Sequence, residues 1–242
     1  MKDMRFLRNI LAYLLAFLLI LVLFIPVLIV SGLCRYDKFL FALSRGVFKI
    51  ILKIIGVKTR VRGLAAIDFS QPMVMVCNHL SNLDGPLLFS ALPCNPRVLV
   101  KIEARKIPLI GLLLKLADFV FVDRKNPLRR QEALTAAVAM IKKKHYSFLV
   151  FPEGTRSKSG QAQKFKKGGF MIAHKAGVPV LPVKISGSHQ LLPPGRIGVK
   201  AGTVEIELFP PLTLAGIQES ALPGLIQSLQ QKIYQEKNHE NH

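Results

Sequence analysis

The sequence predicts an α/β domain, a sheet flanked by helices, behind an N-terminal membrane segment. Three observations lead there. Residues 10–33, ILAYLLAFLLILVLFIPVLIVSGL, carry no charge. After about Lys58 the pattern changes to short apolar runs separated by helical stretches, the alternation of an α/β fold. Polar and charged residues gather directly behind those runs, where open α/β sheets collect their ligands.

At roughly 1.5 Å per residue the uncharged run is long enough to cross a ~30 Å hydrocarbon core. A cleaved secretory signal fits less well, because the run exceeds the usual apolar length of about 7 to 15 residues and shows no clear small-x-small cleavage site. Lys2, Arg5 and Arg8 precede the run, and Arg35, Lys38, Arg45, Lys49 and Lys53 follow it. The positive-inside rule assigns the larger downstream cluster to the cytoplasm, and Pro26 would supply a bend if both flanks stayed on one side. Residues 39–56, FLFALSRGVFKIILKIIG, place Arg45, Lys49 and Lys53 at i, i+4, i+8 on one helical stripe with apolar residues around it. This predicts an interfacial helix; the alternative is a solvent-facing stripe on a core-packed helix.

Beyond it, strands are predicted at 73–77, 98–101, 119–122, 147–151, 178–185 and 203–209. Helices are predicted near 86–91, 108–117, 128–144 and 168–176, and a C-terminal amphipathic helix carries Leu222, Leu225, Ile226, Leu229 and Ile233. The tail QEKNHENH reads as frayed and solvated. The division is therefore membrane-embedded and interfacial helices over 1–57 and one globular domain over 58–242.

Lys and Arg total 34 against 14 Asp and Glu in 242 residues, a formal net charge of +20, so the expected partner surface is anionic. There is no Trp, there are four Tyr, and the Phe residues sit in apolar runs, which argues against a base-stacking nucleic-acid platform. A mean hydropathy of +0.36 favours a membrane phospholipid partner instead. Cys34, Cys77 and Cys94 are odd in number without CxxC spacing, so neither a disulfide framework nor a zinc site is indicated.

Behind the first predicted strand lies NHLSNLDG, residues 78–85. On a continuous helix His79 and Asp84 would point about 140° apart, so the residues between them must turn for the two to meet. Asp84 is placed to cap a helix entered near Pro86. It is also placed to hold one nitrogen of His79 so that the other faces a substrate hydroxyl. Asp123 and Arg124 follow another strand. A third is followed by PEGTRS, residues 152–157, where a glycine able to take positive φ joins Thr155, Arg156 and Ser157, all donors to phosphate oxygens. KFKKGG, residues 164–169, adds Lys164, Lys166 and Lys167 before a helix start.

The pairing and order of NHxxxxD and FPEGTRS resemble the glycerolipid acyltransferase family, in particular the bacterial 1-acyl-sn-glycerol-3-phosphate acyltransferases. The resemblance runs from about Val74 to Pro182 and includes KIEARKIPLIG (101–111), Arg124 in FVFVDR, FKKG (165–168) and GVPVLPV (177–183). One departure is Asp118, where the family often has glycine six residues before its arginine. The resemblance implies a mixed, largely parallel sheet. It further implies transfer of an acyl group, without metal or cofactor, from acyl-CoA or acyl carrier protein to the free hydroxyl of lysophosphatidic acid, giving phosphatidic acid. His79 would be the base and Asp84 its orienting partner. Arg124, Glu153, Gly154, Thr155 and Arg156 would hold the acceptor, with Glu153 anchoring an arginine or meeting glycerol hydroxyls. It also implies a bacterial inner-membrane location with the catalytic domain on the cytoplasmic side.

Three competing readings stay open at this level. Another lysolipid, such as a lyso-ornithine lipid, would need similar motifs. A hydrolase would use water in place of the alcohol, although no GxSxG nucleophile is present. A non-catalytic basic membrane or nucleic-acid binder would make the His79 to Asp84 spacing incidental.

Overall fold

The run MVMVC builds the centre of the sheet. In the computed structural model its last four residues form β2 (Val74–Cys77), buried along its whole length. Met73, Met75 and Cys77 enter the apolar cluster on one face and Val74 and Val76 the cluster on the other. A strand covered on both sides has no reason to alternate polar with apolar residues, hence the unbroken run. The structure describes residues 37–157 and 159–235, together with Leu7, Ile10, Leu11, Leu14 and Leu18, which are helical and exposed. Most of the expected membrane run 10–33 lies outside the described residues. Among the described residues no helix is long and apolar enough to cross a membrane.

The elements follow as α1 (Asp37–Ile54), β1 (Val57–Arg62), β2, α2 (Asp84–Ala91), β3 (Arg97–Lys101), α3 (Ile110–Leu116), β4 (Val120–Val122), α4 (Pro127–Lys144), β5 (Phe148–Val150), α5 (Gly168–Ala176), β6 (Val180–Ser186), a single-turn α6 (Ser188–Leu191), β7 (Gly202–Leu208) and α7 (Leu222–Tyr234). One sheet has the order β1-β7-β6-β2-β5-β3-β4. It is parallel from β6 through β4. β7 joins antiparallel to β6, and β1 lies parallel to β7. The sheet is thus mixed and mostly parallel.

All six predicted strands and five predicted helices are present, with ends shifted by one or two residues. β1 was not predicted. Its Val57, Thr59 and Val61 alternate with exposed Lys58, Arg60 and Arg62, cations that suit an edge strand, where they discourage pairing with another chain. α4 begins as its sequence dictates: the Asn126 side chain accepts from the Leu128 and Arg129 amides, and Pro127 occupies the first turn.

α1 is a helix, as expected, but its stripe is not uniform. Arg45 turns inward and donates to the carbonyls of Phe89 and Cys94 and to Asn95 Oδ1, while Lys49 and Lys53 stay exposed. Leu52 and Ile55 enter the main core. Asp118 also has a local explanation. It sits just past α3 with φ 55, where its carboxylate meets Lys144 Nζ at 2.7 Å and accepts from the Tyr146 hydroxyl. Glycine suits that backbone best, and Asp tolerates it better than most residues. Asp118 precedes β4 and Tyr146 precedes β5, so this cluster occupies the sheet edge opposite to the one that carries His79.

Helices α2 and α5, which follow the adjacent parallel strands β2 and β5, bury Leu87 and Leu88 in one cluster and Phe170 and Ile172 in the other. They leave the sheet on opposite faces. The crevice this opens beyond the carboxyl ends of β2 and β5 is a topological switch point, the place where such sheets bind ligands.

Candidate active site

Past Cys77 the β2 backbone can no longer pair with β6, and a side chain takes over. Asn78 Nδ2 donates to the Ile185 carbonyl at 2.9 Å and Asn78 Oδ1 accepts from the Ile185 amide at 2.7 Å, so a buried amide extends the ladder by one rung. The chain then turns through His79, Leu80 and Ser81. Asp84 Oδ2 closes the turn, accepting from Leu80 N at 2.7 Å, Ser81 N at 2.8 Å and His79 Nδ1 at 2.9 Å. Asp84 is fully buried. Its carboxylate points back at residues 79–81 and not along α2, so the helix-cap expectation gives way to a turn clamp. Leu83 is the helix cap residue and makes no side-chain cap bond.

A carboxylate only accepts hydrogen bonds, so Nδ1 of His79 carries a proton, and in the neutral ring Nε2 keeps its lone pair. The ring stacks on Phe151 with centroids 4.0 Å apart and an interplanar angle of 19°, and one edge remains partly exposed. Ring and lone pair are therefore set in one orientation before any ligand arrives.

The loop after β5 grips the same turn. Glu153 Oε1 accepts from His79 N at 3.1 Å, and Ser157 N donates to the His79 carbonyl at 3.1 Å. Gly154 takes φ 77, a backbone that favours glycine, with the flexible tip of Lys166 close by. Arg124, from the end of β4, donates to the Gly154 carbonyl. Arg156 donates to Asn82 Oδ1 and Thr155 to Gln163 Oε1. Lys164, Lys166 and Lys167 are exposed, and Lys166 N bonds the Pro152 carbonyl. All seven candidate residues thus lie at one sheet edge, Asp84 at the first residue of α2 and the other six on three loops.

Glu153 departs from expectation. It pairs with neither arginine; besides the His79 amide, its other partner is the Tyr234 hydroxyl from α7, which donates to Oε1. Burial pushes the Glu153 carboxyl up to about 7, against the lowering effect of those two donors, and nearby Asp84 raises it further. Oε2 is buried without a hydrogen-bond partner. The Tyr234 phenol is pushed up by burial and by the carboxylate it faces. Sequence reasoning missed Tyr234, Asn82 and the stacking role of Phe151. Tyr234 ends an apolar helix stripe 81 residues from its partner, and nothing local marks it.

A raised carboxyl has a stability signature. Between the ordinary value of 4.5 and about 7 the unfolded chain releases the Glu153 proton while the folded chain retains it, so stability falls as pH rises through that window. Relative to Glu153→Gln, which keeps an acceptor for both donors, wild type is expected to lose roughly 3 kcal/mol between pH 5 and pH 8. Tyr234→Phe should move the window upward, because the phenol favours the ionised form. Denaturant melts at the two pH values check this; parallel curves for wild type and Glu153→Gln would contradict it.

Cys77 and Cys94 are poor nucleophiles. Burial raises the first well above its ordinary value and the second to about 11, so neither is a thiolate near neutral pH. Among the described residues no three His, Cys, Asp or Glu side chains converge to hold a metal.

The comparisons with known proteins agree with this geometry. A solved structure, the 1-acyl-sn-glycerophosphate acyltransferase PlsC from Thermotoga maritima, superposes with a TM-score of 0.83 at 30% identity, covering 96% of this chain and 95% of that one. The 1-acyl-sn-glycerol-3-phosphate acyltransferase of Cocos nucifera is 30% identical over 64% of this chain. A putative enzyme of the same name from Caenorhabditis elegans is 32% identical over 67%. The chain spans 51% and 58% of the lengths of these two relatives. A sequence profile of the acyltransferase family matches residues 58–186, more than half of the chain and the whole of the clamped histidine turn with its neighbouring loops, and the chain belongs to that family.

Proposed function

We propose that the protein transfers a fatty acyl group from an acyl thioester, acyl-CoA or acyl carrier protein, to the sn-2 hydroxyl of 1-acyl-sn-glycerol 3-phosphate, giving phosphatidic acid. The observation that carries this reading is the 2.9 Å contact between His79 Nδ1 and an Asp84 oxygen already fixed by two backbone amides. His79 Nε2 accepts the hydroxyl proton as the lipid oxygen attacks the acyl carbonyl. Asp84 stabilises the imidazolium, which returns the proton to the departing thiolate. Glu153 holds the histidine turn through its backbone, and its raised carboxyl, partly protonated near neutral pH, lessens its repulsion of the phosphate.

Arg124 and Arg156 bind the acceptor's phosphate, exchanging their bonds to the Gly154 carbonyl and Asn82 for charge-assisted ones. Arg156→Ala is expected to raise KM for lysophosphatidate about tenfold or more, the effect of losing roughly 1.5–3 kcal/mol, with a smaller change in kcat. Steady-state kinetics in mixed micelles decides it; unchanged saturation would remove the phosphate role. Asp118, the departure from the family pattern, sits at the opposite sheet edge and gives no reason to prefer a lyso-ornithine lipid.

The bilayer is the natural source of such an acceptor, and the uncharged run 10–33 with its basic flanks supports anchoring at a bacterial inner membrane, catalytic domain facing the cytoplasm. The deciding experiment offers purified protein a panel of lysolipids with both donor types. Preferential acylation of lysophosphatidate supports the proposal, and preference for a zwitterionic or amino-acid lysolipid overturns it.

A further inference from the structure

The chain between β3 and β4 is apolar on its exposed side as well as its packed one. After β3 it makes a short 3₁₀ turn (Ile102–Lys106) and enters α3, whose residues IGLLLKL hold a single charge. Leu113 and Leu116 pack inward beside Ala117 against Leu40 and Phe41 of α1. Ile107, Ile110 and Leu112 instead face outward, 47%, 40% and 41% exposed. A helix apolar on both faces belongs either in a core or against lipid, and among the described residues one face of α3 is exposed.

Arg105, Lys106 and Lys115 are exposed around the three apolar residues, a basic rim on an apolar patch. The backbone holds the patch outward at a cost. Leu109 sits at φ 62, ψ −50, with Ile110 N bonded to the Pro108 carbonyl at 2.6 Å, the strained hand of the γ-turn. Gly111 locks the turn from behind, since a Cβ there would lie 2.2 Å from the Arg105 carbonyl oxygen.

Placement completes the case. The 3₁₀ turn leaves β3 at the same sheet edge as His79, and Glu103 lies within Coulomb reach of Arg124 and Lys125. Through Leu113 and Leu116 α3 packs on Leu40 and Phe41 near the start of α1, where exposed Phe39 follows the uncharged run 10–33.

We propose that Ile107, Ile110 and Leu112 form a second membrane contact, inserting into the acyl region of an anionic bilayer while Arg105, Lys106 and Lys115 meet lipid phosphates, so that the acceptor reaches Arg124 without crossing water. The last clause rests on the proposed lysolipid activity; the membrane contact does not.

The chain contains no Trp, so a single introduced one reports without background. The full chain carrying Ile110→Trp, or separately Leu112→Trp, is reconstituted in vesicles of phosphatidylcholine and phosphatidylglycerol containing brominated acyl chains. Lys142→Trp, near the end of α4 at the opposite sheet edge, is the control. The inference predicts blue-shifted emission at both test positions and quenching at least about threefold stronger than in the control. Quenching no stronger than in the control overturns it, as does a blue shift that appears only when an acidic protein or a higher concentration of the chain itself is supplied. Neither result needs turnover, so the acyl-transfer reading stands or falls separately. The combined Ile107→Ser, Ile110→Ser, Leu112→Ser variant should raise the apparent KM for bilayer-presented lysolipid several-fold and leave that for detergent-dispersed lysolipid unchanged; equal effects in both would overturn the delivery role.

Discussion

His79→Ala is expected to lower acyl transfer by about 10²- to 10⁴-fold or more while the protein melts close to wild type. Both halves of that expectation come from geometry. The turn is held by backbone: the His79 amide bonds Glu153, its carbonyl accepts from Ser157, and the Leu80 and Ser81 amides bond Asp84. Alanine retains all four. What it removes is a partly exposed ring stacked on Phe151, a modest loss of packing, together with the nitrogen proposed to take the proton. A folded His79→Ala protein with wild-type kcat would end its assignment as base.

Asp84 separates orientation from folding. Asp84→Asn keeps an oxygen for the two backbone amides and the imidazole N–H but removes the charge that stabilises the imidazolium. The expected fall in kcat is about 10²- to 10⁴-fold, with KM little changed. Its amide nitrogen would take the place of Oδ1, which is buried without a partner, so a stability loss of about 1–3 kcal/mol accompanies it. Asp84→Ala goes further. It strands two backbone N–H groups and the imidazole, which at about 1–3 kcal/mol each is enough to unfold a marginal domain. Circular dichroism and kcat measured on both variants distinguish the roles. If Asp84→Asn were fully active, the carboxylate would be a clamp for the turn alone.

The contact between His79 and Asp84 was legible in the sequence because polar residues directly behind an apolar run have few other places to go than the carboxyl edge of a sheet. The same reasoning located Arg124 and residues 153–156. It failed where chemistry depends on contacts distant in the chain. Tyr234 looks like the end of an apolar helix stripe, and only the folded chain shows its hydroxyl on Glu153. The expectation that Glu153 anchors an arginine failed for the same reason, since its true partners are a backbone amide and that distant phenol. β1 escaped notice because half of its side chains are cations, which mark an edge as readily as a linker. Asp84 looked like a helix cap because a short-range pattern cannot tell whether a carboxylate turns forward onto a helix or back onto the turn before it. Asp118 stood out only as a departure from the family's glycine, and its positive φ and its bond to Lys144 show a local backbone role.

The central claim is that a histidine fixed by a buried carboxylate takes the proton of the lipid hydroxyl as the acyl group passes from thioester to lipid oxygen. The most direct test gives purified wild-type protein a thioester labelled in its acyl chain together with lysophosphatidate, and follows the label. The account predicts that the label appears in phosphatidate in step with release of free thiol, and that His79→Ala abolishes both. Label recovered chiefly as free fatty acid, or phosphatidate formed equally well by His79→Ala, would contradict it.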